Sequence, residues 1–591
     1  MALTFNTGQT LIANADAVTN FAFYRASGTG GAGSLLLSTD FFRQGTASVA
    51  YRVQANWEAG ILYDYFTANG STVLDMSPTG RHLYMWFNHL NVAFLDTDLN
   101  NGVYVIATSD TGTSGTPTNY ARWVIGGGTG SSSNELTYQG GWQLVVLDMT
   151  NSPTNNVGTG ANIASIRRLG IGISSITGSV KTENLYLDAL WYGKALYEII
   201  GDGANTATWS SVVANSAAQS NGLFEDIGGA VKVACGIQFG NSVQANTTTF
   251  SDSSATILLW KEHFYLSNAN ATVHSIDYAN LYTVTAQGNS SAKTDIVLGT
   301  VVGTGDDRQG VLGGAIVSPD TTNITWDIDF STHKANLSNV RLYGVSMTGA
   351  TKGVILDNNS GAASNIANGE TSIISTSFIN CGEVDPGTTG NGAEMLNFTI
   401  IDPLGGTATN RGLRLHELNN IKKGNFITSG NPAIQHIAHL TDAGAYDISF
   451  VGLIYFGDYS SANLWHGEIS TANANVTINA SSGANPSAAE FDLTGAGSAV
   501  SVSNPVTLTV TGLVGDSEFR IFQKESNEEL AGTDSSGTSF SYPYNYDAPN
   551  ANVWVVVLHT DYLYQRFAYV LAATDQNLLI QYATDRVYSN P

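Results

Sequence analysis

Six acidic side chains are candidates for acid–base chemistry: Asp306 and Asp307 in GTGDDRQG, then Glu394, Asp402, Asp447 and Asp458. Cleavage of a glycosidic bond uses two carboxyl groups a set distance apart, one giving a proton and the other acting as base or nucleophile. No spacing singles out a pair among the six. Aspartate at a bend commonly hydrogen-bonds its own turn, and that is the expected role here.

Histidine offers one close pair, His436 and His439 in AIQHIAHLTDAG, with Asp442 nearby. Positions i and i+3 fall on opposite faces of a strand, so joint ligation of a metal would require a bend or a helix. The HExxH zinc pattern is absent. In LDTDLNNG, Asp96, Asp98 and Asn100 alternate as in a calcium loop. The glycine at the sixth place and the acidic twelfth ligand are missing, so an Asx-rich turn is expected, with a structural calcium as the alternative. No other cofactor is implied. GGGTGSSSN lacks the lysine and following helix of a phosphate loop, and no Gly-x-Ser-x-Gly elbow occurs in a plausible α/β context. The reading on catalysis leans towards no enzyme. Trp57, Trp86, Trp123, Trp142 and Trp191 crowd the first region. Exposed, they would stack on sugar rings; core filling is the expectation for most of them.

The elements that would hold these residues are strands. Charged residues are only 12% of 591, while Gly numbers 63, Tyr 26, Phe 23 and Trp 10. Long charged side chains favour helices and aromatic residues favour strands, so an all-β chain of several domains is expected. The net charge of −24 repels nucleic acid. Cys235 and Cys381 are too few for a disulfide framework or a cysteine zinc site. MALTFNTGQT lacks the features of a secretory signal, and no run is long enough to insert in a membrane, so cytoplasmic synthesis is expected.

Residues 1–200 carry strand-length segments such as RHLYMWFNHL, GVYVIATSD, GWQLVVLDM and NLYLDALWYG, bounded by Gly, Ser, Asn or Thr. In the last, Leu185, Leu187, Ala189 and Trp191 share one face by alternation, and Tyr186, Asp188, Leu190 and Tyr192 the other. A two-sheet sandwich is expected. GWQLVVLDM (141–149) with NLYLDALWYG (184–193) resembles the closing strands of lectin-like jelly-roll domains, including carbohydrate-binding modules.

Residues 201–500 repeat one phrase, a short apolar strand ended by Gly, Asn or Asp: NLSNVRLYGVSMTG, TSIISTSFINCGEV, EMLNFTIIDPLGG and LNNIKKGNFITSG. Phe378, Phe398, Phe426 and Phe450 lie 20, 28 and 24 residues apart. That interval matches one circuit of a right-handed parallel β-helix, with these rings stacked inside; an ordinary sandwich with similar spacing is the alternative. GDGANTATWSSVVANSAAQ, 201–219, is similar to the Gly-Asp-Gly segment that leads into the β-helices of pectate-lyase-like and phage tailspike proteins. A short capping helix near 201–220 is implied, although the acidic pair that usually follows is absent.

Residues 501–591 contain NPVTLTVTGL, SEFRIFQKESNEELAG, TSFSYPYNY and ANVWVVVLHTDYLYQRFAYVL, expected as a small Ig-like sandwich. VTLTVTGLVGDSEFRIFQ, ELAG and the Tyr-Ser-Asn-Pro tail resemble structural proteins of tailed marine bacteriophages. The resemblance implies a virion spike, fibre or capsid decoration, with other virion proteins and host surface glycans as partners and no membrane insertion. A homotrimer is expected, with Tyr542, Tyr544, Tyr546 and Trp554 as contact surface. The alternatives are a tailspike depolymerase acting in a β-helix groove and a bacterial adhesin.

Overall fold

The computed structural model describes residues 3–5, 8–28, 34–89, 91–96, 101–112, 115–127, 141–175, 182–194, 196–253, 255–259, 263–266, 282–288, 291–318, 326–330, 337–351, 353–356, 371–387, 394–405, 411–415, 420–427, 434–441, 444–449, 465–480, 488, 491–502, 506–544, 551–572 and 575–583. Strand accounts for 55% and helix for 5%, so the protein is all-β, as its composition implies. The chain divides into two compact units. One comprises Met1–Phe250, Ala255–Lys293 and Ile316–Trp326; the other comprises Ser251–Ser254, Thr294–Ala315 and Asp327–Pro591.

In the first unit two sheets face each other. One runs in the order His263–Leu266, Gln143–Asp148, His82–His89, Thr182–Gly193, Ser48–Gln54, Leu35–Ser38. Its first strand comes from far along the chain and pairs in parallel with Gln143–Asp148; its other neighbours pair antiparallel. The second sheet runs Asn155–Val157, Tyr120–Gly126, Val103–Thr108, Arg168–Ser174, Glu58–Asp64, Phe21–Ser27. Alternate residues of both close one apolar core, with Val49, Met85, Phe87, Val145 and Leu187 from one sheet and Ile61, Val105, Trp123 and Ile171 from the other.

The alternation anticipated in NLYLDALWYG breaks halfway. Register shifts between Asp188 and Leu190, with Ala189 at φ +29°. A bulge of this kind exchanges the faces of everything beyond it. Leu185 and Leu187 line the core as expected, but beyond the bulge Leu190 joins them in place of Ala189. Trp191 is carried to the other side, where its ring stacks on Tyr84 at 5.2 Å.

The same unit holds a helix, Trp209–Ala218, closed at its start by a reciprocal pair of hydrogen bonds between Thr208 and Ser211. Its buried Trp209 meets Phe250 edge-on at 4.9 Å and Phe239 at 6.4 Å. Leu196–Ile200 pairs antiparallel with Thr4–Phe5 on one side and in parallel with Gly236–Phe239 on the other.

The second unit is built from strands that pair with strands one circuit later. Leu337–Tyr343, Thr371–Ile374, Glu394–Leu396, Asn420–Lys422 and Gly444–Ser449 form one parallel ladder. Ser346–Thr348, Ser377–Ile379, Thr399–Ile401 and Asn425–Ile427 form a second. Gly353–Ile355, Val384–Asp385, Arg411–Leu415, His436–Leu440, Trp465–Ile469 and Phe491–Asp492 form a third. The chain visits the ladders in turn, so each repeated phrase spans the corner between the first two.

Those corners explain why most of the phrases end in Gly, Ser, Asn or Asp, with Lys423 as an exception. Gly344, Ser375, Asn397 and Lys423, at φ +62°, +52°, +54° and +52°, occupy one corner in four successive circuits. Gly349, Asn380 and Asp402, at +78°, +50° and +45°, occupy the next. Left-handed backbone is least costly for Gly and tolerable for Asn and Asp. The corner amides still bond onward, as from Asn380 to Ile401 O at 2.9 Å and from Asp402 to Ile427 O at 2.8 Å.

The stacked residues differ from the phenylalanine series read from the sequence. Partners in the second ladder are Met347, Phe378, Ile400 and Phe426. Phe398 is buried two positions earlier, at the corner, and a Cβ on Gly424 of the next circuit would come within 2.3 Å of its ring. Phe450 lies outside the described residues.

The last strands form two facing sheets, in the orders Ser539–Tyr544, Val506–Thr511, Gln576–Leu579 and Glu529–Thr533, Glu518–Gln523, Asn552–His559, Tyr562–Val570. In the immunoglobulin arrangement the first two strands share a sheet. Here Val506–Thr511 pairs with the fourth and seventh strands, while Glu518–Gln523 lies in the opposite sheet. Tyr542 and Tyr544, expected on a contact surface, fill this core instead; Tyr546 is outside the described residues.

Candidate functional site

Asp402 takes its corner's left-handed backbone, and its amide donates to Ile427 O at 2.8 Å. Asp307 and Glu394 are brought to one flank by a hairpin, Thr300–Val302 with Gln309–Val311. Arg308 in its turn pairs with Glu394, and Asp307 Oδ1 lies 3.3 Å from Lys423 Nζ. Asn397 Nδ2 donates to Arg308 O at 2.9 Å, and Gly310 N donates to Ser375 Oγ at 3.0 Å. The hairpin thus straps the corner residues of three circuits, and the two carboxylates hold it there. The side chains of Asp306 and Asp447, and all of Asp458, lie outside the described residues.

A denser charged cluster occupies the third ladder, and only its histidines were singled out from the sequence. Arg414 Nε lies 3.0 Å from Glu383 Oε1, and its Nη1 lies 3.3 Å from Asp385 Oδ2. The Arg411 guanidinium is 2.6 Å from Glu468 Oε2, whose partner oxygen accepts from Thr494 Oγ1 at 2.7 Å. His436 Nε2 is 2.9 Å from Asp492 Oδ2, with Nδ1 3.9 Å from Glu468 Oε2. His439 Nε2 faces Ser470 Oγ at 2.7 Å. Glu383, Asp385, His436, His439 and Glu468 are all buried. Burial pushes Glu468 upward, but the hydrogen bonds from Thr494 and Arg411 and the arginine charge outweigh it, holding the carboxyl below its usual range. Arg414, His439, Glu468 and Asp492 share one column of register. In a chain so poor in charge, one ionisable residue per circuit at one phase is the signal that would have revealed them.

Among the described residues no group of three or more His, Cys, Asp or Glu side chains could hold a metal. Of the calcium candidates, Asp96 accepts from Asn101 Nδ2 at 3.1 Å; Asp98 and Asn100 lie outside the described residues.

Trp57, Trp86, Trp123 and Trp191 are buried, as expected. Trp142 is the exception. It is half-buried, its ring 5.5 Å from Phe41 at an interplanar angle of 23°, with Tyr186 edge-on at 6.4 Å. On the second sheet, facing away from the core, Tyr24 and Tyr104 share a 2.7 Å hydroxyl contact above Gly172, where a Cβ would meet the Tyr24 oxygen at 1.9 Å. Tyr120 and Arg122 both donate to Glu58 Oε1, at 3.1 and 2.9 Å. Burial is the main cause raising these phenols, Tyr120 to about 12, so all three remain neutral hydrogen-bonding groups at ordinary pH. Nothing in the spacing of the sequence pointed to this cluster.

No protein-family model matches the chain, and no curated protein sequence matches it.

Proposed function

We propose that the protein is a structural appendage of a tailed-phage virion, a spike, fibre or capsid decoration that adheres to host surface glycans. The observation that carries this reading is the set of three parallel ladders, whose corners repeat the same left-handed positions circuit after circuit. We read them as a right-handed parallel β-helix, an architecture that lengthens by adding circuits and suits a mechanical part. The first two-sheet region is read as a lectin-like jelly-roll. There the half-buried Trp142, backed by Phe41, offers an aromatic ring of the kind that stacks on sugars. The terminal sandwich shares the two-layer form of immunoglobulin domains but not their strand order. Labelling virions with an antibody against the protein and imaging them in negative stain tests the reading; unlabelled particles overturn it.

One observation favours a second reading, cleavage of a surface polysaccharide. Glu468 and Asp492 both approach His436, and Glu468 is held ionised as a base or nucleophile requires. Against it, His436 and Glu468 are buried, and Glu468 is already held by Arg411 and Thr494. A reducing-end assay on host capsule decides: release of ends by the wild type but not by Glu468→Gln would establish the enzyme.

A further inference from the structure

The four-stranded sheet of the C-terminal sandwich presents an unusual outer face. Its middle row is Phe522, Trp554 and Ala568, directly opposed across three strands. Lys524 and Arg566 stand on opposite diagonals of the tryptophan, with the ammonium 5.2 Å and the guanidinium 4.6 Å from the ring centroid. Farther out on this face, Val570 is 60% exposed. The solvent face of an antiparallel sheet is ordinarily polar, and an apolar row with a Trp at its centre and Arg and Lys beside it is the composition of a docking surface.

Charge specifies what docks. Arg520, on the same face, is held by Glu518, Glu529 and Asp534. Among the described residues neither Lys524 nor Arg566 has an acidic partner, although acidic residues outnumber basic ones by 48 to 24. A carboxylate-rich surface would satisfy both cations while covering the apolar row. Every copy of this chain carries such an excess of carboxylates, at a net −24. A self-contact centred on Trp554 would oppose cation to cation, since Lys524 and Arg566 flank the ring on both sides. We propose that it docks on an acidic surface elsewhere on a second copy of the chain, a heterologous contact that closes into a ring or runs on as a filament. This goes beyond the appendage reading and does not depend on it.

Light scattering on the full-length protein over a concentration series tests the proposal. The wild type should show a multiple of its 62.3 kDa mass. Raising salt from about 50 mM to about 500 mM should shift it towards the single chain, since exposed charges are then screened. Trp554→Ala, and Lys524→Glu with Arg566→Glu, should each weaken association at least ~10-fold at an unchanged melting temperature. If the glutamates lower the melting temperature, Lys524→Gln with Arg566→Gln is read in their place. A wild type at 62.3 kDa throughout, which would leave a foreign acidic partner as the occupant, overturns the proposal. So does a multimer that the charge variants leave intact.

Discussion

Asp188 shows how one side chain at an irregularity organises its surroundings. Its carboxylate accepts the backbone amides of Arg43 and Gln44 and its neighbour's amide, while Arg43 lies over Trp86 at 4.5 Å. Burial pushes its pKa up from 3.8 to about 6, against those hydrogen bonds. Between those values the folded state binds the extra proton. Stability from this group therefore rises as pH falls through about 6 and is fully present below 3.8, worth up to about 3 kcal/mol. The wild-type melting temperature minus that of Asp188→Asn should accordingly be larger at about pH 4.5 than at about pH 7.5; a constant difference would contradict it. Phe398 offers a second residue-level test. Truncation to alanine leaves a cavity beneath Gly424, and urea unfolding should report a loss of about 3–5 kcal/mol. That phenylalanine was legible as buried, but its place in the stack was not. Successive partners in its ladder, from Met347 to Phe426, lie 31, 22 and 26 residues apart, so no fixed period could set the phase. The bulge at Ala189 was hidden for a similar reason, since nothing in NLYLDALWYG marks where alternation stops.

Among elements, the strand-and-corner phrase was the most legible, because left-handed backbone restricts residue choice at Gly349, Asn380 and Asp402. The ionic column of the third ladder becomes legible only once the register is known, because Arg414, His439, Glu468 and Asp492 lie at the unequal intervals of 25, 29 and 24 residues. It makes a sharp prediction. Glu468→Leu alone strands the Arg411 charge in a buried setting and should cost about 3–5 kcal/mol by chemical denaturation. Pairing it with Arg411→Met should recover most of that loss, because two well-packed apolar groups replace a desolvated ion pair at little net cost. A double variant as unstable as the single one would show that the ions hold the register by themselves. The terminal sandwich illustrates a different limit. Its strands were readable one by one, but which of them share a sheet depends on pairings that alternation does not encode.

For the whole molecule, the sparse and mostly acidic charge sets what it avoids. A net −24 should give no binding to duplex DNA at physiological salt, which fluorescence anisotropy would report as a flat titration. The modest role of surface charge extends to the strapping hairpin. Gly299 and Gly313 almost touch, since a Cβ on Gly299 would lie 2.8 Å from the Gly313 Cα. The chain leaves one ladder and enters the next at practically one point, and of the strap's two ion pairs Asp307–Lys423 is of the exposed kind worth about 0–1 kcal/mol while Arg308–Glu394 is half-buried. Replacing residues 301–311 by two glycines should therefore leave the melting temperature within a few degrees. The gap between those two glycines then acts as a port. A foreign peptide spliced into it would be carried on the outside while the circuits before and after kept their register, so the protein can change what it displays without changing how it folds.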